Sequence, residues 1–266
     1  MDITITGLLI GMLLLAVPAF FLWKLRTGLL RSMVTGAIRM VVQLSLIGVY
    51  LRYLFEWNLA WVNILWVIIM TLVAAHTSVT RTGLEKRLLL IPTIVAFLFA
   101  ALVVGLYFIV LVLGVEHPFE ARYFIPIMGI LLGNMLGVNV VALSTYYGQL
   151  NREHQMYYYL LGNGATRFEA TMPFLRAGVV KAFTPCIANM AVLGLVSLPG
   201  TMIGQILGGS APGVAIRYQM MITVITLSAT MLSLMTTVWL SDKRAFDSKD
   251  RPLTPALPHG GRGNSR

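Results

Sequence analysis

The 266-residue chain is poor in the groups from which most enzyme sites are built. It has one cysteine, Cys186, and 10 carboxylates against 20 lysines and arginines. A single cysteine excludes an intrachain disulfide and any Cys-cluster metal site. No G-x-x-x-x-G-K-[ST] phosphate loop is present, so the chain does not bind and split ATP by that route. H-E-x-x-H and G-x-S-x-G are also missing, and no His/Cys/carboxylate cluster has metal-ligand spacing. Every Asp and Glu, from Asp2 and Glu56 through Glu153 and Glu169 to Asp242 and Asp250, falls in or near an expected loop. Proton-driven pumps usually bury a carboxylate or a histidine relay in the membrane. Their absence argues against a proton-coupled antiporter and for energy supplied by another subunit. With no buried nucleophile–base pair in sight, no enzyme activity and no cofactor are expected.

Apolar length is what the sequence has. It is 58% hydrophobic and 11% charged, with a mean hydropathy of +0.81. Soluble domains are about a quarter charged, so the composition is that of an integral membrane protein. Runs of about 18 or more apolar residues predict about seven transmembrane helices in an all-α, polytopic fold. They are Ile5 to Trp23, Met33 to Phe55, Leu59 to Val79, Leu88 to Val115, Tyr123 to Tyr147, Gly178 to Leu198, and Val214 to Leu240. The first run carries its basic residues after it, so it reads as a span, not as a cleaved signal. The net charge of +10 would suit nucleic acid in a soluble protein. Here cationic loops that hold the topology account for it, and no nucleic-acid partner is expected.

The cations segregate. Lys24, Arg26 and Arg31 follow the first span, Arg81, Lys86 and Arg87 the third, and Arg152, Arg167, Arg176 and Lys181 the fifth. The other side has Arg52, Arg122 and Arg217. Cytoplasmic loops are the cation-rich ones, which predicts an outside amino terminus and a cytoplasmic carboxyl terminus. Residues 1–241 read as one transmembrane domain with a cytoplasmic loop at 148–173. Residues 242–266 are charged, then rich in Pro and Gly, and predict a disordered tail in which His259 is solvated.

Several polar residues interrupt the spans. Gly36, Arg39, Gln43 and Ile47 share one face of the second span. A buried arginine is expensive in hydrocarbon, so Arg39 faces protein, water or an anionic partner, or else snorkels to the headgroups. In the fifth span, Gly129, Gly133 and Gly137 recur every fourth residue, the spacing of close helix contact, either static or sliding. Asn134 borders this glycine face, whereas Asn139 lies about 140° around the helix from it. Asn189 follows the break expected at Pro185. Met190, Met202, Met220 and Met221 permit a soft-metal reading, although methionine is also ordinary packing.

The stretch Gly194-Leu195-Val196-Ser197-Leu198-Pro199-Gly200-Thr201-Met202-Ile203-Gly204 continues to Gly208-Gly209. It is too apolar for a water-facing loop, yet its Pro and Gly residues rule out a plain lipid-facing helix. Irregular backbone at membrane depth needs protein or a watery cavity around it. Gly200, Gly204 and Gly208 repeat the four-residue spacing, and Pro199 supplies a bend. At the outer end of its span this stretch predicts an external gate.

Between Gly148 and Pro173 an amphipathic helix with Tyr157, Leu160 and Leu161 on one side is expected to stop at Gly162 and Gly164. Thr166 then N-caps a second helix, expected to end at Pro173. This helix-Gly-Ala-Thr-helix segment resembles the coupling loop with which ABC-transporter permeases grip their ATPase. The wider chain is similar to the FetB-type permease family, which includes bacterial iron exporters and plant permeases linked to aluminium tolerance. The matching pieces are Arg39-x-x-x-Gln43-Leu44, Pro126-Ile127-x-Gly129-x-x-x-Gly133-Asn134, Leu161-Gly162 with Gly164-Ala165-Thr166, Gly194 to Gly200, and Tyr218-Gln219.

The resemblance implies a permease, working as a homodimer, with metal-ion cargo, iron first, and a separate cytoplasmic ATPase seated on Gly162, Gly164, Ala165, Thr166 and Arg167. Gln219 joins Arg39, Gln43, Asn134 and Asn189 as pathway candidates. Export of an organic or sugar-nucleotide cargo, and a non-transporting scaffold or sensor, remain as alternatives.

Overall fold

A computed structural model of the chain describes residues 5–84 and 86–245. Among the described residues all regular structure is helical, apart from an isolated bridge between Leu193 and Ser197. The chain divides into two compact units, one ending at Asn58 and the other starting at Leu59.

In the first unit, helices α1 (Ile5–Leu13) and α2 (Ala16–Lys24) replace the single expected span. They part at Leu14 and Leu15, just ahead of Pro18, which sits in the first turn of α2 where its missing N–H is tolerated. Arg26 and Gly28, both with positive φ, turn the chain into α3 (Leu30–Trp57). Asn58 ends α3 in the left-handed region. Most apolar side chains of this unit are exposed, as lipid-facing helices require.

The second unit is a bundle: α4 (Ala60–Thr82), α5 (Lys86–Leu106) with a π-helical turn at Tyr107–Val112, α6 (Ala121–Arg152), α7 (His154–Gly162), α8 (Arg167–Val192), α9 (Gly200–Leu207) and α10 (Pro212–Ala245). Helix α6 is its axis, packing on α4, α5, α7, α8 and α10. Two apolar cores divide its length. One gathers Phe97, Phe108, Phe124, Met128 and Leu131 around Ile222 and Ala229. The other gathers Leu143, Tyr146, Tyr147, Tyr157, Phe174 and Phe183 around Leu234 and Val238. The second core holds Val79, Leu84, Leu89, Leu150 and Ala170, so the α4–α5 turn, the end of α6 and the start of α8 meet at one end of the bundle. That end carries the cation-rich turns.

Among the described residues six helical segments are long and apolar enough to cross a membrane: Thr6–Lys24, Leu30–Trp57, Ala60–Thr82, Lys86–Val112, Ala121–Arg152 and Pro212–Asp242. The protein is therefore polytopic and all-α. The remaining expected span, the sixth, Gly178 to Leu198, corresponds to α8, which has 26 residues but carries Arg176, Lys181 and Asn189. Its helix starts well before Gly178 and ends before Leu198.

Two proline expectations are corrected. α8 runs through both Pro173 and Pro185. A proline in a helix interior loses one backbone hydrogen bond, and packing carries the helix past it. At Pro173 that packing comes from buried Ala170, Thr171 and Phe174. The last helix also extends past the boundary at 241, so Asp242 forms part of its final turns. The remainder of the expected tail, 246–266 with His259, lies outside the described residues.

The tight crossing is one the four-residue glycine pattern does not mark. A Cβ at Gly178 would lie 2.7 Å from the Ala142 carbonyl oxygen, so α8 and α6 touch there backbone to backbone. At Gly129 the neighbour is only the tip of Met70, at 3.3 Å, and Gly133 and Gly137 meet nothing within 4 Å. Gly178→Ala is expected to destabilise the protein by about 1–3 kcal/mol through overpacking. Gly148→Ala, on the same α6 with nothing within 4 Å, should be neutral or slightly stabilising. Thermal denaturation of the purified variants checks both.

Candidate functional site

α8 buries side chains in the bundle as far as Phe183, and from Thr184 to Val192 it buries none. Pro185 stands at that change, where its ring and missing N–H weaken the helix and let it diverge. The space α8 vacates is a cavity of about 540 Å³ between α6, α8, the start of α9 and α10. It lies beside Asn134, close to mid-length of the 32-residue α6.

Five of the residues singled out from the sequence line this cavity together: Asn134, Asn189, Pro199, Gly200 and Gln219. Arg39 and Gln43 belong to α3 of the other unit, are exposed, and are not among the lining residues. Gly204 meets no atom within 4 Å, and Gly208 meets only carbonyls of its own helix. Their spacing therefore makes no close helix contact in this conformation. The methionines separate too: Met190 lines the cavity, Met202 is buried, Met220 is exposed, and Met221 packs on the core that holds Met128 and Ile222.

The lining shares one chemical character. Thr223 Oγ1 donates to the Gln219 carbonyl at 2.9 Å, Thr226 Oγ1 to Ile222 at 2.8 Å, and Thr230 Oγ1 to Thr226 at 2.8 Å. Asn134 Nδ2 likewise donates to the Ile130 carbonyl at 2.8 Å. Each hydroxyl spends its one hydrogen on its own helix, and Asn134 spends one of its two amide hydrogens there, which leaves oxygen lone pairs for the cavity. Gln219 Oε1 accepts from Thr201 Oγ1 and pins the first turn of α9 to α10. Cys186 and Met190 add sulfur, and no charged side chain is among the lining residues. Among the described residues no group of three His, Cys, Asp or Glu could hold a metal ion. The arrangement suits weak, multi-site coordination of a passing cation better than a tight cage.

Sequence reasoning missed the threonines of α10. Their signal was available: Gln219, Thr223, Thr226, Thr230, Ser233, Thr237 and Ser241 follow one another at spacings of four or three along a largely apolar helix, which puts them on one face.

The Gly194 stretch folds at the cavity rim. Gly194, with φ +83°, begins a tight turn in which its N–H donates to the Ser197 carbonyl at 3.0 Å. Pro199 then caps α9, which returns along the first turns of α10.

At the opposite end of the bundle, α7 and α8 enclose the Gly164 turn. Tyr157 is buried with Leu160 and Leu161 beside it, on the face expected. Gly164 has φ +88°, which disfavours a side chain there, and Ala165 N–H donates to the Leu160 carbonyl at 3.1 Å. Thr166 forms a capping box: its Oγ1 accepts from Glu169 N–H at 3.3 Å, and its own N–H donates to Glu169 Oε2 at 2.8 Å. The Thr166 N–H and hydroxyl hold the Glu169 carboxyl below the usual glutamate range. Tyr158, Tyr159, Phe168 and Met156 are exposed around this turn.

Because the Glu169 pKa is lower in the folded protein, its contribution is complete above the ordinary glutamate pKa. It is lost as pH falls through the depressed value. The first turn of α8 should stay protected at neutral and mildly acid pH and fray only below that range, and Glu169→Gln should flatten this dependence. Hydrogen exchange at the Glu169 amide measures both.

The comparisons agree with the resemblance. Residues 5–246 match the model of an uncharacterised protein family, UPF0014. "Probable iron export permease protein FetB" of Escherichia coli (strain K12) is 28% identical over 96% of this chain and 97% of its own length. "Protein ALUMINUM SENSITIVE 3" of Arabidopsis thaliana is 31% identical over 79% of this chain and 75% of its own. The UPF0014 membrane protein STAR2 of Oryza sativa subsp. japonica is 30% identical over 81% of this chain and 74% of its own. No solved structure matches. With six helices of membrane-crossing length and composition and a family match over nearly its whole length, the chain belongs to the UPF0014 family of multi-pass membrane permeases.

Proposed function

We propose that this protein is the membrane subunit of a two-component ABC-type exporter in the cell (inner or plasma) membrane. A separate cytoplasmic ATPase docks on the α7–α8 turn, two copies of the permease associate, and a metal cation, iron first, leaves through the α6–α8–α9–α10 cavity. The observation that carries the reading is the cavity lining: neutral oxygens with their hydrogens turned away, placed near the middle of membrane-length helices. Acceptor oxygens favour a cation over an anionic cargo such as a sugar nucleotide. The iron assignment rests on the relative named an iron export permease.

In this reading α8 also crosses the bilayer, making seven spans. It starts at the bundle end that holds Tyr157 and Val238 and rises alongside α6 to the cavity. The amino terminus is then outside, and the cation-rich end of the second unit is cytoplasmic. The coupling surface is Gly162, Gly164, Ala165, Thr166 and Arg167, surrounded by exposed Tyr158, Tyr159 and Phe168. Pro199 and Gly200 sit at the cavity rim as the outer gate.

Two experiments test this. Permease and ATPase reconstituted together should hydrolyse ATP faster when iron(II) is added, and Asn134→Leu should raise the iron concentration needed by about tenfold. Indifference of the wild-type pair to every divalent metal would count against a cation cargo. Replacing Gly164, Ala165 and Thr166 together should abolish co-purification of the ATPase while the permease still inserts. An ATPase that still co-purifies with that variant would remove the docking assignment.

A further inference from the structure

The cavity ends inward at Thr230 and Val138, but the polar face of α10 does not. Ser233, Thr237 and Ser241 continue it toward the cytoplasmic end, all completely buried, Ser233 and Ser241 against α6. Their hydroxyls again donate to their own helix: Ser233 to the Thr230 carbonyl at 2.9 Å, Thr237 to Ser233 at 2.8 Å, and Ser241 to Val238 at 3.0 Å. α6 faces them with Asn139 and Tyr147. Asn139 Nδ2 donates to Ser233 Oγ and Tyr147 Oη to Ser241 Oγ, each at 2.9 Å. Beside this pair, Tyr146 Oη donates to Asp242 Oδ1 at 3.2 Å. Asp242 lines a second cavity, of about 480 Å³, beside Thr166 and Arg167 of the α7–α8 turn.

One atom in this seam has an unmet need. Asn139 is fully buried, and its Nδ2 is satisfied by the Met135 carbonyl and Ser233, yet its Oδ1 has no hydrogen-bond partner. A buried carbonyl oxygen without a donor or cation is costly, and such atoms mark a missing water, an ion or a functional strain. This one lies against the polar face of α10, just inward of the cavity floor.

We propose that the α6–α10 seam from Thr230 to Asp242 is the inner half of the cation pathway, with Asn139 Oδ1 as a coordinating atom for a partly dehydrated divalent metal ion. The proposal rests on the reading of the cavity as a cation route and supplies what that reading lacks, a connection to the cytoplasmic face. Asp242 collects the ion at the inner mouth. The Ser and Thr oxygens replace part of its hydration as it moves outward. In the conformation described here the seam is packed shut, so α6 and α10 separate along it during transport. Because Asp242 lies beside the start of α8, a push on the α7–α8 turn acts directly on this mouth.

The test uses the full-length permease with its ATPase in vesicles, inside-out, with iron(II) as the probe. The double variant Asn139→Leu with Ser233→Ala removes both polar partners, so neither is left unsatisfied, and thermal stability should be unchanged or raised. Iron uptake should nonetheless fall about tenfold or more. Asn139→Asp places a carboxylate at the same point. This variant, incubated with manganese(II) alone, should retain metal through gel filtration that wild type releases, and should transport iron with both kcat and KM lowered. Wild-type iron transport together with double-variant uptake within about twofold of it, and no metal retained by Asn139→Asp, would overturn the seam while leaving the cavity reading intact. An inactive wild type would overturn the cation reading and the seam with it.

Discussion

In hydrocarbon a polar group has no water to turn to, and the site of this protein follows from how its side chains meet that constraint. The hydroxyls of Thr223, Thr226, Thr230, Ser233, Thr237 and Ser241 all hydrogen-bond to carbonyls one turn earlier in α10. The bond removes the cost of burying an O–H, and it does so by using only the donor. Each oxygen keeps a lone pair pointing away from the helix axis. The device that lets a polar stripe enter the membrane is therefore the same one that makes the stripe a row of acceptors. In the proposed reading no charged residue is needed for the cavity to receive a cation, which agrees with a chain that has so few carboxylates.

The second determinant is where packing stops. α6 belongs to both apolar cores, whereas α8 contributes only to the one that holds Phe174, Ala182 and Phe183. The Gly178–Ala142 contact draws α8 hard against α6 in that half. Beyond Pro185 nothing on α8 is large, apolar and buried, so the helix stands off and the cavity opens. A close glycine contact on one side of a proline and a void on the other make α8 a lever with a fixed lower half.

Much of this was legible in the sequence because hydrophobic length is a strong signal. The apolar runs located the six membrane-length segments, and the Gly164–Thr166 turn announced its cap through Thr166 and Glu169. The pathway asparagines stand out as polar residues in apolar surroundings and Gln219 through the family resemblance, and all three share one cavity. Failures arose where local rules met tertiary packing. Taken alone, Pro173 and Pro185 predict breaks, but the helix passes both: at Pro173 its buried face outweighs one lost bond, and at Pro185 it continues with no buried side chain beyond. Four-residue glycine repeats were read as contact faces, while the actual backbone contact is at Gly178, which has no such repeat. A glycine's neighbour depends on which helix crosses it, and no single sequence states that. The α10 threonines were missed because each alone is an unremarkable residue in a membrane helix. Only their shared face is informative.

The turn after Val192 shows how a broken helix can stand at such a place. Leu195 and Val196 are 89% and 83% exposed, so the turn presents apolar side chains outward. Its backbone is closed on itself: the N–H groups of Leu195, Val196 and Ser197 all approach the Val192 carbonyl, and Gly194 N–H reaches the Ser197 carbonyl. A turn that satisfies its own donors can lie against lipid or against a second copy of the chain without an orphaned amide. It also needs no fixed partner on the cavity side, where the Thr201–Gln219 bond holds only the start of α9. The irregularity that first marks Gly194 to Pro199 in the sequence is thus confined to a self-contained turn, while α9 beyond it packs along α10 and buries Met202.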